Sequence, residues 1–164
     1  YCAQGSIMYA TGYCMTGLGI TVTTATLITK TNQFAGLNYI DATSNLKNSR
    51  VYIYSGSKDV TVKPVVVKMG EDYFKNYMTS ASQIKTVYTI PSVHGHITDS
   101  YGSACGTTDK AYINNCNYNQ VHDMFDFLYP QLNVVQPNVN YNATGSVIKF
   151  KIKLLFYFYL FFVY

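Results

Sequence analysis

The chain has 164 residues, enough to bury one domain-sized core, and it is 48% hydrophobic but only 12% charged. Of its net charge of +4, three charges come from Lys149, Lys151 and Lys153, so the rest of the chain is close to neutral. Such a body does not imply nucleic acid as a partner, and 17 tyrosines with many Asn, Thr and Ser make its surface polar without being charged.

The first 19 residues are Gly-rich, carry Cys2 and Cys14, and hold a candidate short helix over 6–10. Residues 20–30, ITVTTATLITK, are rich in β-branched side chains, and helix and strand remain open alternatives there. Residues 32–49 read as connection, with SNLKNS placing polar turn residues just before an apolar run.

The strongest pattern lies between Arg50 and Ser92. VYIY at 51–54 is β-branched or aromatic throughout and predicts a strand covered on both faces. Ser55-Gly56 stops it, and the turn SGSKD presents Asp59. Pro64 suits a first helical turn, where its missing N–H is no loss. Val66, Met69, Gly70, Tyr73, Phe74 and Tyr77 then recur at helical spacing. Gly70 inside that stripe predicts close approach of helix to sheet, at a cost of about 1 kcal/mol in helix propensity. A second strand is predicted over 86–90, ended by Pro91 and followed by a loop with His94 and His96. Strand, helix and strand form a βαβ unit, which places both loops at the carboxyl edge of a parallel sheet. There a carboxylate can orient an imidazole as general base.

A long polar excursion, 99–119, carries Cys105 and Cys116. Val121, Met124, Phe125 and Leu128 form a short helical stripe that stops at Pro130. Residues 131–145 read as a linker or surface loop containing the Asn142-Ala143-Thr144 glycosylation sequon, and 146–150 begin a strand-like stretch. Composition changes abruptly at KIKLLFYFYLFFVY, 151–164. Its apolar run is too short for the roughly 20 residues of a membrane-spanning helix, and it is expected to lie outside a functional fold occupying 1–150.

The cysteines form two local pairs, Cys2 with Cys14 and Cys105 with Cys116, each able to close a small polar loop. Neither pair has CxxC spacing or neighbouring His ligands, so a metal site is disfavoured. Disulfides and buried free thiols remain, with the spacing favouring disulfides and hence a secretory compartment.

The pieces YCAQG, SNLKNSRVYIYSGSKDVTV, the Gly95-His96 pair, and YGSACG followed by YINNCNY resemble the polyhydroxybutyrate depolymerase family of esterases, an α/β-hydrolase branch. The resemblance covers about 1–150. It implies an incomplete α/β-hydrolase fold, a parallel sheet with flanking helices. Its Gly-x-x-Asp turn falls on Gly56 to Asp59, making Asp59 the triad carboxylate. Its Gly-His loop falls on Gly95-His96, making His96 the base, with His94 left to the loop or pocket wall. The order Ser, Asp, His agrees with the chain order of that fold. Where relatives continue with Pro-Thr, this chain has Ile97-Thr98-Asp99.

In that family a serine in a G-x-S-x-G elbow precedes the YCAQG region. Gly5-Ser6-Ile7 lacks the second glycine, so Ser6 is read as a loop or helix-start serine. The resemblance therefore implies the C-terminal portion of a secreted serine esterase of short-chain polyhydroxyalkanoates or related esters, needing no cofactor or metal and expected to be inactive alone. Tyr101, Tyr112 and Tyr118 are candidate pocket-wall residues. A non-catalytic secreted binding module and a pseudoenzyme are the alternatives; the first predicts that Asp59 and His96 lie far apart.

Overall fold

The computed structural model of the chain describes residues 2–17, 19 and 23–135. The sequon at Asn142, the strand-like stretch from Ser146 and the apolar tail 151–164 lie outside the described residues. The N-terminal segment turns through a π-helical stretch, Tyr9–Cys14, rather than the short helix expected over 6–10 alone. Its ends are joined by the Cys2–Cys14 disulfide.

Between helix and strand for the β-branched stretch, the structure chooses helix: α1 runs over Thr24–Gly36. Its start is set by Thr23, whose side chain accepts a hydrogen bond from the Thr26 amide and so satisfies one of the orphan donors of the first turn. The cap outweighs the modest helix penalty of the threonines. A short 3-10 turn, Thr43–Leu46, leads into strand β1, Val51–Tyr54.

Strand β1 pairs in parallel with β2, Ile84–Val87, and Val51 lies opposite Ile84. Helix α2, Pro64–Lys75, makes the crossover with Pro64 in its first turn. This is the βαβ unit expected from the pattern, with two corrections. The second strand starts two residues earlier than 86–90 and is finished by Val87, because the Tyr88–Pro91 backbone turns to bond the Asp59 turn instead. The VYIY residues are all half-buried rather than fully buried.

Beyond β2 the polar excursion builds a second, three-stranded parallel sheet in the order β3-β5-β4, from His96–Thr98, Ile113–Asn115 and Ser103–Ala104. Helix α3, Gln120–Leu128, begins at Asn119, whose side chain accepts from the His122 amide, and packs on both β1 and β3. It thus ties the two sheets together. Helix α2 covers β1 and β2, and α1 lies against α2. Mixed helices and small parallel sheets of this kind constitute an incomplete α/β fold. No helix among the described residues is long and apolar enough to cross a membrane.

Gly70 corrects another expectation. A Cβ there would meet nothing within 4 Å, so the glycine does not serve close packing on the sheet. It lines an apolar groove between α1 and α2, together with Leu27, Phe34, Met69 and Tyr73.

Candidate active site

The Asp59 turn and the loop after β2 are bound to each other by backbone. Ser55 donates to the Val87 carbonyl at 3.0 Å, Ser57 to Ile90 at 2.8 Å and Lys58 to Ser92 at 3.1 Å, which ties the two segments together beyond the strand ends. Contact is so close at Gly56 that a Cβ would stand 2.2 Å from Ser92 Oγ and 2.3 Å from its carbonyl oxygen. Ser92 is fully buried, and its hydroxyl is hydrogen-bonded to Tyr54 Oη at 2.6 Å. Burial, which is the larger influence, and the nearby Asp59 charge both push the Tyr54 hydroxyl pKa up.

Within this junction Asp59 is held at both oxygens. Oδ1 accepts from the Thr61 and Val62 amides, each at 2.9 Å, in the side-chain-to-backbone turn that Asp favours. Oδ2 lies 2.9 Å from Nδ1 of His94. The Asp59 side chain is 10% exposed and that of His94 30%, so the carboxylate is sheltered while the ring reaches the surface. An ionised carboxylate can only accept, so the bond fixes Nδ1 as the protonated ring nitrogen of neutral His94 and leaves Nε2 as an acceptor. No hydrogen bond among the described residues engages Nε2. This is the arrangement a general base requires.

The imidazole beside Asp59 is therefore that of His94, not that of His96 as the Gly-His motif implies. The backbone explains the difference. The His94 loop follows the Asp59 turn through Ser92, but at His96 the chain leaves it for β3, and the His96 amide is taken by the Tyr112 carbonyl at 2.6 Å. His96 begins that strand with an exposed side chain. Ile97, 1% exposed, shows β3 already under way at His96, but that burial is set by the fold and not by any pattern in the chain.

Both expected cysteine pairs are bonded, Cys2 to Cys14 and Cys105 to Cys116. Tyr112 and His94 meet in a T-shaped arrangement with ring centroids 6.3 Å apart, whereas Tyr101 is 70% exposed. Tyr118 does not stand beside His94; it belongs to a polar cluster under α3. There Tyr118 and Tyr52 donate to Asp123 Oδ2 at 2.5 and 3.1 Å, and Lys85 donates to Oδ1 at 2.5 Å. Burial works to raise the Asp123 pKa, but the hydrogen bonds from Lys85, Tyr118 and Tyr52 outweigh it and hold the carboxyl below its usual range. Burial and the Asp123 bond push the Tyr118 hydroxyl up to about 12. Among the described residues, no group of three or more His, Cys, Asp or Glu is placed to hold a metal.

Comparison with known proteins adds the following. No protein-family model matches the chain. It is similar to a poly(3-hydroxybutyrate) depolymerase of Delftia acidovorans, 38% identical over 152 residues that make up 92% of this chain and 30% of that protein. It is also similar to a polyhydroxybutyrate depolymerase of Talaromyces funiculosus, 31% identical over 116 residues, 69% of this chain and 33% of the relative. Among solved structures, the PHB depolymerase of Penicillium funiculosum superposes with a TM-score of 0.67 at 28% identity, covering 88% of this chain and 42% of that one. A serine-to-alanine variant of a PHB depolymerase complexed with an R3HB trimer gives 0.66 at 25% identity with the same coverage. The chain spans about a third of the length of the curated relatives it matches, and over that stretch it is homologous to them.

Proposed function

We propose, from the partial homology to polyhydroxybutyrate depolymerases, that this chain supplies the acid–base half of a serine esterase site, with His94 as general base and Asp59 as its orienting carboxylate. The single observation that carries this reading is the 2.9 Å contact from Asp59 Oδ2 to His94 Nδ1, with Oδ1 locked by two backbone amides. The 164 residues contain no G-x-S-x-G sequence, so in this reading the nucleophile comes from a segment outside them.

A serine hydroxyl placed at His94 Nε2 would give up its proton to the ring as its oxygen attacks the ester carbonyl. Asp59, already hydrogen-bonded to Nδ1, stabilises the imidazolium that forms. The ring then returns the proton to the leaving alcohol, and repeats the cycle with water to release the acid. The substrate class is a short-chain hydroxyalkanoate polyester or a related ester. Two disulfides closing small polar loops support a secreted protein.

Hydrolysis of R-3-hydroxybutyrate oligomers and p-nitrophenyl butyrate by the full-length gene product tests the assignment. Wild type is expected to hydrolyse both, His94→Gln to lose roughly 10⁴-fold in kcat, and His96→Gln to stay within the same order of magnitude as wild type. Silencing by His96→Gln with His94→Gln still active would overturn the choice of base. A wild type inert toward both esters would remove the esterase reading itself.

A further inference from the structure

We propose that Asn114 is a positioning residue for His94, acting through Gly95 and the loop closed by Cys105–Cys116; this rests on His94 being the residue that pairs with Asp59. Asn114 is 1% exposed, in the middle of the central strand of the three-stranded sheet. Its amide nitrogen donates to the carbonyls of Ala104 at 3.2 Å and Thr107 at 2.7 Å, which bracket Cys105. Its Oδ1 has no hydrogen-bond partner among the described residues. That oxygen instead faces Gly95, where a Cβ would stand only 2.5 Å away.

Such an orphaned, fully buried acceptor is rare enough in folded proteins to require a reason. The reason offered by this geometry is contact: a carbonyl oxygen packed on a glycine α-carbon has its weak C–H donors for company and fills the place a side chain would take. Asn114 is thus a stop against which the backbone of Gly95 rests, and Gly95 is the residue next to the imidazole.

The same excursion grips the loop on either side of that contact. The Val93 amide donates to the Cys105 carbonyl at 3.3 Å, and the His96 amide to Tyr112. Tyr112 is held at φ 51°, the left-handed region that a bulky residue rarely occupies, and its ring meets that of His94 in a T-shaped contact. The Cys105–Cys116 bond closes the segment that contains all of these groups. His94 is therefore confined from two directions, by Asp59 at Nδ1 and by the stapled loop at its backbone. Removing the second constraint frees the ring to leave the first.

Nitrogen-15 NMR of the histidine rings in the full 164-residue chain distinguishes positioning from mere structural support. In wild type, His94 is expected as the Nδ1–H tautomer with a low-field, slowly exchanging ring proton. In Asn114→Ala, with both disulfides intact by mass mapping and the far-ultraviolet spectrum unchanged, that proton signal is expected to vanish and the ring to become a tautomer mixture. A folded Asn114→Ala chain that keeps the wild-type signal overturns the proposal.

If Asn114→Ala does not fold, mild reduction of wild type gives the second arm. Opening the Cys105–Cys116 link in a chain that stays folded is expected to abolish the same signal, and persistence of the signal with the link open overturns the proposal. Absence of the signal from wild type would instead defeat the Asp59–His94 pairing on which the proposed function rests.

Discussion

Gly56 and Gly70 stand in opposite surroundings. A methyl group on the first would be driven into Ser92, whereas on the second it would meet nothing within 4 Å. The regions around them differ in the same sense. The junction between the Asp59 turn and the His94 loop buries polar groups, Ser55, Ser92 and Asn114, along with Ile97. The outer layer exposes apolar ones, including Ile7, Met8, Val65 and Leu37. Among the described residues, most of the fully buried side chains therefore lie near where two polar loops meet, and hydrophobicity alone does not locate them. Asn114 Nδ2 is satisfied there by two backbone carbonyls and Ser92 Oγ by Tyr54 Oη, while Ser55 Oγ and Asn114 Oδ1 have no hydrogen-bond partner among the described residues.

The largest effect that would break the comparison is Gly56→Ala. Its cost is overpacking against a backbone carbonyl that cannot rotate away, about 3 kcal/mol by urea denaturation. Separation of the Asp59 turn from the His94 loop should accompany it and remove esterase activity in the full-length protein. A neutral Gly56→Ala would mean that the junction yields, and the account of its rigidity would fail.

An intermediate effect is expected at Asp123, the anchor of α3. Asp123→Ala leaves Lys85 without its acceptor and Tyr52 and Tyr118 with only each other to bond, and should cost about 2 kcal/mol near neutral pH. Because the folded carboxyl titrates below its unfolded value, its contribution is complete above the ordinary carboxylate range near pH 4. That contribution is lost as pH falls through the lowered folded value. Unfolding curves of wild type and Asp123→Ala should therefore converge on acidification, and a gap that widens instead would contradict the sign. Glu71 behaves alike: its hydrogen bond with Lys75, aided by that from Tyr88, outweighs burial and holds its carboxyl below the usual range.

The smallest change sharpens the comparison by reversing its direction. Gly70→Ala adds a methyl group to open space in a helix interior and should stabilise the chain by about 0.5–1 kcal/mol through lower unfolded-state entropy. The same substitution, glycine to alanine, would thus carry opposite signs at positions 56 and 70. A destabilised Gly70→Ala would show that the groove between α1 and α2 is filled in solution.

What the sequence made legible was what local chemistry decides. Pro64 marked the start of α2, the apolar runs marked β1 and the βαβ order, and the cysteine spacing matched the two bonds found. Asp59 was named through the family resemblance, whose Gly-x-x-Asp turn falls on Gly56 to Asp59, and the structure sets its carboxylate beside His94. The choice between His94 and His96 could not be read from a motif, since it depends on which residue the Tyr112 carbonyl pulls into β3. The three-stranded sheet was likewise hidden, because strands of two or three residues in a polar segment carry no periodicity. Asn114 and Ser92 were invisible for a related reason: their burial is created by contacts across the fold, not by neighbours in the chain.

The central claim is that Asp59 holds His94, and long-range nitrogen-15 correlation spectra of the imidazoles test it most directly. They should be recorded on wild type and on Asp59→Asn at a pH where the histidines are neutral. The account predicts that His94 alone among the three histidines loses a fixed Nδ1–H tautomer on substitution, while His96 and His122 keep their wild-type patterns. A change confined to His96, or none at His94, would contradict it.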